Sequence, residues 1–190
     1  MPLSDPAPRE ALHTREIICR GFRRDDGLWD IEAHLADTKT YVFANAFRGD
    51  IAPGEPLHDM SLRVTVDDRM VIRDIEAVTD ASPFAVCPAI TPRFALLKGV
   101  TIGPGWSREV RRTLGGVKGC THLVEMLRTV ATVAHQTVWT ARRRAGEDPA
   151  AEAERTRPAY LGRCHALRRD GEVVRAHYPD WYEGEEPGPN

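Results

Sequence analysis

From Trp29 onward the chain alternates strictly. Trp29, Ile31, Ala33 and Leu35 occupy the odd positions, and Asp30, Glu32, His34 and Ala36 the even ones. A repeat of two is the side-chain period of a β-strand with one buried face. It is incompatible with a helix, whose apolar positions recur at three and four. The pattern returns at Met60, Leu62, Val64 and Val66. Each run has a neighbour to pair with. Residues 15–24 reach Leu28 through Asp25-Asp26-Gly27, a hairpin signal because Gly accepts the left-handed backbone of a tight turn. Asp67-Asp68-Arg69 turns the 57–66 run back into 70–79. The front half therefore predicts an antiparallel meander of four strands.

After Pro83 the period lengthens. Thr91-Pro92 opens a short helix through Leu97, and 104–114 holds a second. Gly115-Gly116-Val117-Lys118-Gly119 reads as a loop. Leu123, Leu127, Val130, Ala134 and Val138, with Met126 and Val133 beside them, then fall at helical spacing. They predict a long helix over 121–144, closed by Arg142-Arg143-Arg144 and Gly146. Residues 146–157 read as a charged linker and 160–178 as a small closing module. A sheet followed by helices is the α+β class. The expected organisation is a flexible lead over 1–13, one domain over 14–182 and a disordered acidic tail over 183–190.

Charge and hydropathy limit the partners. Lys and Arg number 26 against 28 Asp and Glu, a net charge of −2, which gives no electrostatic case for nucleic acid or an anionic membrane. No apolar run approaches the ~20 residues of a membrane span. Met1 to Pro8 lacks the charged-then-apolar pattern of a secretion signal, so the expected compartment is the cytoplasm. There Cys19, Cys87, Cys120 and Cys164 are expected as core residues, ligands or reactive thiols rather than disulfides.

No Gly-rich phosphate loop, Gly-x-Ser-x-Gly, His-Glu-x-x-His or Cys-x-x-Cys is present. Soft and titratable residues instead gather at element ends: His58-Asp59 at the start of a strand, Cys87 in the loop after the next strand, Cys120 and His122 at the start of the long helix. Each also has an ordinary reading, Cys87 as core filler and the histidines as surface groups. Cys120 stands out. A glycine-rich loop delivers it to a helix N-terminus, where the dipole and Lys118 favour the thiolate. If 57–66 and 70–79 form a hairpin, Cys87 returns to the sheet end where His58-Asp59 begins. His58, Asp59, Cys87 and Cys120 then make an acceptable shell for zinc or iron. Trp29, His34 and Trp106 are candidates for lining a substrate pocket.

The stretch from about Arg15 to Tyr182 resembles a bacterial family of unknown function, domain of unknown function 2889. The resemblance is carried by Arg24-Asp25-Asp26-Gly27-Leu28-Trp29-Asp30-Ile31-Glu32, His58-Asp59-Met60, Cys87, Gly103-Pro104-Gly105-Trp106, Gly119-Cys120-Thr121-His122-Leu123 and Tyr178-Pro179-Asp180-Trp181. Residues 57–135 also look like the iron–sulfur scaffold fold of NifU-like and SufU-like proteins. Asp59, Val71-Ile72-Arg73-Asp74, Cys87, Leu96-Leu97-Lys98-Gly99 and Cys120 with Leu123 carry that likeness. It implies a scaffold-like core and a metal held by His58 or Asp59, Cys87 and Cys120, with His122 as a further candidate ligand. Leu57 stands where that family has its first cysteine and His58 where it has glycine, which turns the expectation from a cluster to a single metal.

The leading expectation is an enzyme with one divalent metal, zinc or iron, acting on a small organic molecule. A lyase of retro-aldol or elimination type suits a metal Lewis acid with a base, and no acyl-hydrolysis triad is visible. His58, His122 or Asp59, whichever is not a ligand, would move the proton. One alternative is an iron–sulfur or zinc/sulfur carrier. Another is a metal-free thiol enzyme with Cys120 as nucleophile. The apolar face of the long helix would also serve a homodimer.

Overall fold

Strand β2 (Trp29–Lys39) keeps its alternation in three dimensions: Trp29, Ile31, Ala33 and Leu35 are buried and the residues between them are not. It lies between β1 (His13–Arg23) and β3 (Pro56–Val66), and β4 (Ile72–Ala81) follows, so the sheet order is β1-β2-β3-β4, antiparallel throughout. The computed structural model describes residues 3–146 and 160–185. The predicted linker and most of the predicted tail, 147–159 and 186–190, lie outside them. The chain divides into two compact units, Met1–Val138 and Trp139–Asn190. The α+β class holds: four strands, then helices.

The register explains the core of the first unit. Trp29 faces Val66, Ile31 faces Val64, Ala33 faces Leu62 and Leu35 faces Met60, all on one side of the sheet. Each fully buried aliphatic or aromatic side chain contributes about 1.5–3 kcal/mol. Helix α2 (Thr121–Arg144) covers this side with Leu123, Met126, Leu127, Val130 and Ala134, the predicted stripe. Its approach is close. A Cβ on Gly21 of β1 would stand 1.9 Å from Thr137 Oγ1, so only glycine fits there.

Between β4 and α2 the chain makes a 3-10 run over Cys87–Leu97, which buries Phe94 and Leu97, and helix α1 (Trp106–Leu114). The segment predicted as a short helix winds as 3-10, with Pro92 inside it, where the proline ring would clash with the carbonyl four residues back in an α-helix. In the second unit, α3 (Glu172–His177) precedes a 3-10 turn over Pro179–Trp181, and Tyr160 packs edge-to-face on Trp139 and on Tyr178. Burial and the Tyr178 hydroxyl push the Tyr160 phenol above its ordinary range. No helix among the described residues is long and apolar enough to cross a membrane.

Candidate metal centre

The buried stripe of β2 continues one step past Leu35 and ends in a charge. Asp37 occupies the next inward position and is 1% exposed. Its register partner on β3 is His58, and its partner on β1 is Arg15. A bulge between Asp37 and Thr38 closes this end of the sheet. The first turn of α2 then brings His122 over the pair.

The carboxylate is the hub. Arg15 donates to both oxygens, Nε to Oδ1 at 2.8 Å and Nη2 to Oδ2 at 2.7 Å, the two-pronged geometry that suits a planar guanidinium. Oδ2 also lies 2.9 Å from His58 Nδ1 and 4.0 Å from His122 Nε2. His13 Nε2 stands 3.4 Å from Oδ1. The His58 and His122 rings lie 3.9 Å apart, centre to centre. Beyond His122, Nδ1 is 3.7 Å from Cys120 Sγ, and that sulfur is 4.0 Å from Met60 Sδ. Arg15 is fixed from the helix side by Glu125, to which Nη1 donates.

Burial alone would raise the Asp37 carboxyl, but the Arg15 fork and the His58 ring outweigh it and hold it below the ordinary carboxylate range. Burial pushes both imidazoles the other way. His58 is lowered by desolvation and by the neighbouring His122, and His122 by desolvation and by Arg15. Asp37 opposes both shifts without reversing them. At neutral pH the centre therefore holds a carboxylate and two neutral imidazoles, the protonation states that ligate metals.

Among the described residues, Asp37, His58 and His122 are the group of three whose donor atoms all lie within 4.8 Å of one another. Two imidazoles and one carboxylate is a known donor set for iron(II) and for zinc. Of the predicted ligands, the structure brings His58 to this centre, with His122 beside it and Cys120 one contact further out. Asp59 is turned away. Successive strand residues point to opposite faces, so Asp59 leaves the His58 side and accepts from His34 Nε2 at 2.6 Å on the outer face. Cys87 opens the 3-10 run and is not a member of the group. All four cysteines are free thiols. Burial lifts Cys19, beneath α2, to about 11.

The predicted pocket residues do not converge. Trp29 is buried at the other end of β2 and donates from Nε1 to Asp68 at 2.8 Å. His34, at an even position of the same strand, faces outward. Trp106 does line a cavity of about 580 Å³, together with Val110, Leu114, Val124, Glu125 and Arg128. Glu125 links that cavity to the centre, since it also holds Arg15.

Fold and site together define an α+β protein in which a carboxylate and two imidazoles close one end of an antiparallel sheet under a helix N-terminus. A family model described as Protein of unknown function (DUF2889) matches residues 13–136, and the chain belongs to that family. The match spans every residue of the centre. No curated protein and no solved structure matches the chain. The likeness to iron–sulfur scaffolds gains no support from these comparisons.

Proposed function

We propose that the protein is a metal-dependent enzyme of the cytoplasm that acts on a small organic molecule, by lyase chemistry of the retro-aldol or elimination type. The observation that carries this reading is the convergence of Asp37 Oδ2, His58 Nδ1 and His122 Nε2 at one buried point. Zinc or iron held there would supply a Lewis acid for a carbonyl or alkoxide oxygen. The chain's own groups have separate tasks. Arg15 keeps Asp37 ionised and aimed by holding both oxygens, and Oδ2, which also faces His58 and His122, is the one that would turn to a cation. His13, 39% exposed, stands 3.4 Å from Oδ1 on the solvent side of the centre. The cavity at Trp106 and Glu125 has the size of a small-molecule site.

Elemental analysis of protein purified without an affinity metal tests this, beside Asp37→Asn and His58→Gln. Near-stoichiometric zinc or iron in the wild type, lost in both variants, is the expected result. A wild type free of metal, whose melting ignores added zinc, added iron and chelators, ends the reading.

A second reading, thiol catalysis without metal, has one contact in its favour. Cys120 Sγ faces His122 Nδ1 at 3.7 Å while the same ring turns Nε2 toward Asp37, the order of nucleophile, base and orienting acid. It requires that alkylation of Cys120 abolish activity in metal-free protein.

A further inference from the structure

We infer that Cys120, Met60 and His122 Nδ1 form a binding site for a soft monovalent cation, copper(I), on the side of His122 away from Asp37. Met60 comes from the buried face of β3, Cys120 is the residue before α2, and His122 is in the first turn of α2. Cys120 Sγ lies 4.0 Å from Met60 Sδ and 3.7 Å from His122 Nδ1. Those separations fit a shared cation. Metal–sulfur bonds of about 2.3 Å and metal–nitrogen bonds of about 2.0 Å, in a trigonal arrangement, put two sulfurs about 4.0 Å apart and sulfur and nitrogen about 3.7 Å apart.

Thr79, the register partner of Met60, lies on the same face of the neighbouring strand. Its hydroxyl oxygen is buried and has no hydrogen-bond partner among the described residues.

The donor types choose the cation. Thiolate and thioether are soft and select copper(I), whereas the oxygen and nitrogen donors around Asp37 suit a divalent ion. The two sites share one ring. A neutral imidazole has a single lone pair, so copper(I) at Nδ1 leaves Nε2 as an N–H and withdraws a donor from the Asp37 side. Copper(I) would then antagonise the divalent centre. That consequence rests on the proposed function; the soft site itself does not.

The test is anaerobic titration of the full chain with copper(I) against the competing chelator bicinchoninate. Met60→Leu conserves core volume and should fold, and circular dichroism confirms it for each variant. The wild type is expected to take up one tightly held copper, with two sulfurs and one nitrogen in its X-ray absorption spectrum. Met60→Leu and Cys120→Ala should each weaken it at least about tenfold. Cys164→Ala, a control for stray thiols, should leave it unchanged. A folded Met60→Leu protein with wild-type copper affinity overturns the proposal, as does a Cys120→Ala protein that keeps the tight site. Failure of the divalent centre would show in elemental analysis and leave the copper titration as it stands.

Discussion

Asp37 and His58 are register partners on the buried side of adjacent strands, and His58 Nδ1 lies 2.9 Å from Asp37 Oδ2. The pair takes the place of the apolar couple that the stripe above it would continue. A carboxylate there is tolerable because Arg15 of β1 neutralises it and His58 of β3 faces Oδ2 at hydrogen-bond distance. Removing one partner therefore costs more than the pair is worth.

Arg15→Met should destabilise the protein by about 3 kcal/mol, because it strands a carboxylate that is 1% exposed. The double variant Arg15→Met/Asp37→Leu, which removes both charges, should recover most of that loss. Urea unfolding of the three proteins gives the comparison. If Arg15→Met unfolds at the wild-type midpoint, the pair contributes nothing to the fold.

Stability should fall as pH is lowered, in two stages. His58 and His122 sit below the ordinary imidazole value of 6.5 in the folded protein. The unfolded chain therefore binds protons that the folded one refuses, and stability declines as pH drops through and below that value. Asp37 is also lowered, so its contribution is present above the ordinary carboxylate value of 3.8 and is lost as pH falls through the folded one. Thermal melts of metal-free protein between pH 8 and pH 4 should show the first stage, and His58→Gln should flatten it.

Zinc or iron should raise the melting temperature of the wild type. An ion at a hundred times its dissociation constant adds about 2.7 kcal/mol. Asp37→Asn should abolish the shift, whereas Asp59→Asn and Cys87→Ser should keep it, since Asp59 faces His34 and Cys87 is outside the three-donor group. Loss of the shift in Cys87→Ser would return the centre to the ligand set expected from sequence.

Gly21→Ala should cost about 1–3 kcal/mol through overpacking, because its new methyl meets the Thr137 side chain at 1.9 Å. Adding Thr137→Ala should restore part of the loss. Additive destabilisation in the double variant would mean that α2 does not rest on β1 at that point.

The four strands and the long helix were legible because burial on one face writes its period directly into the residues. The centre was half legible. His58 and His122 stood out as titratable groups at element ends, but Asp59 drew attention by adjacency in sequence, and adjacency in a strand means opposite faces. Asp37 was in plain view as the fifth odd position after Trp29, Ile31, Ala33 and Leu35. A charged residue in phase with a buried stripe is the signal that would have found it. Arg15 had no such signal, since its role depends on the β1–β2 register, which a single strand does not encode. Cys87 illustrates the same gap: its distance from Cys120 in space depends on how the 3-10 run lies, and no local pattern specifies that.

Arg15, the counter-charge of the centre, sits on β1, and β1 has a neighbour on only one side. Local opening is cheapest where few contacts hold a segment, and an edge strand has ladder bonds on one side only. When β1 lifts, Asp37 loses its guanidinium and His13 together, and the carboxylate is left facing two imidazoles and water. Local opening of that strand would thus leave an ionised carboxylate without its counter-charge just where a cation could reach it. Amide hydrogen exchange along β1 would then slow once the site is filled, and the gate and the affinity would be one motion.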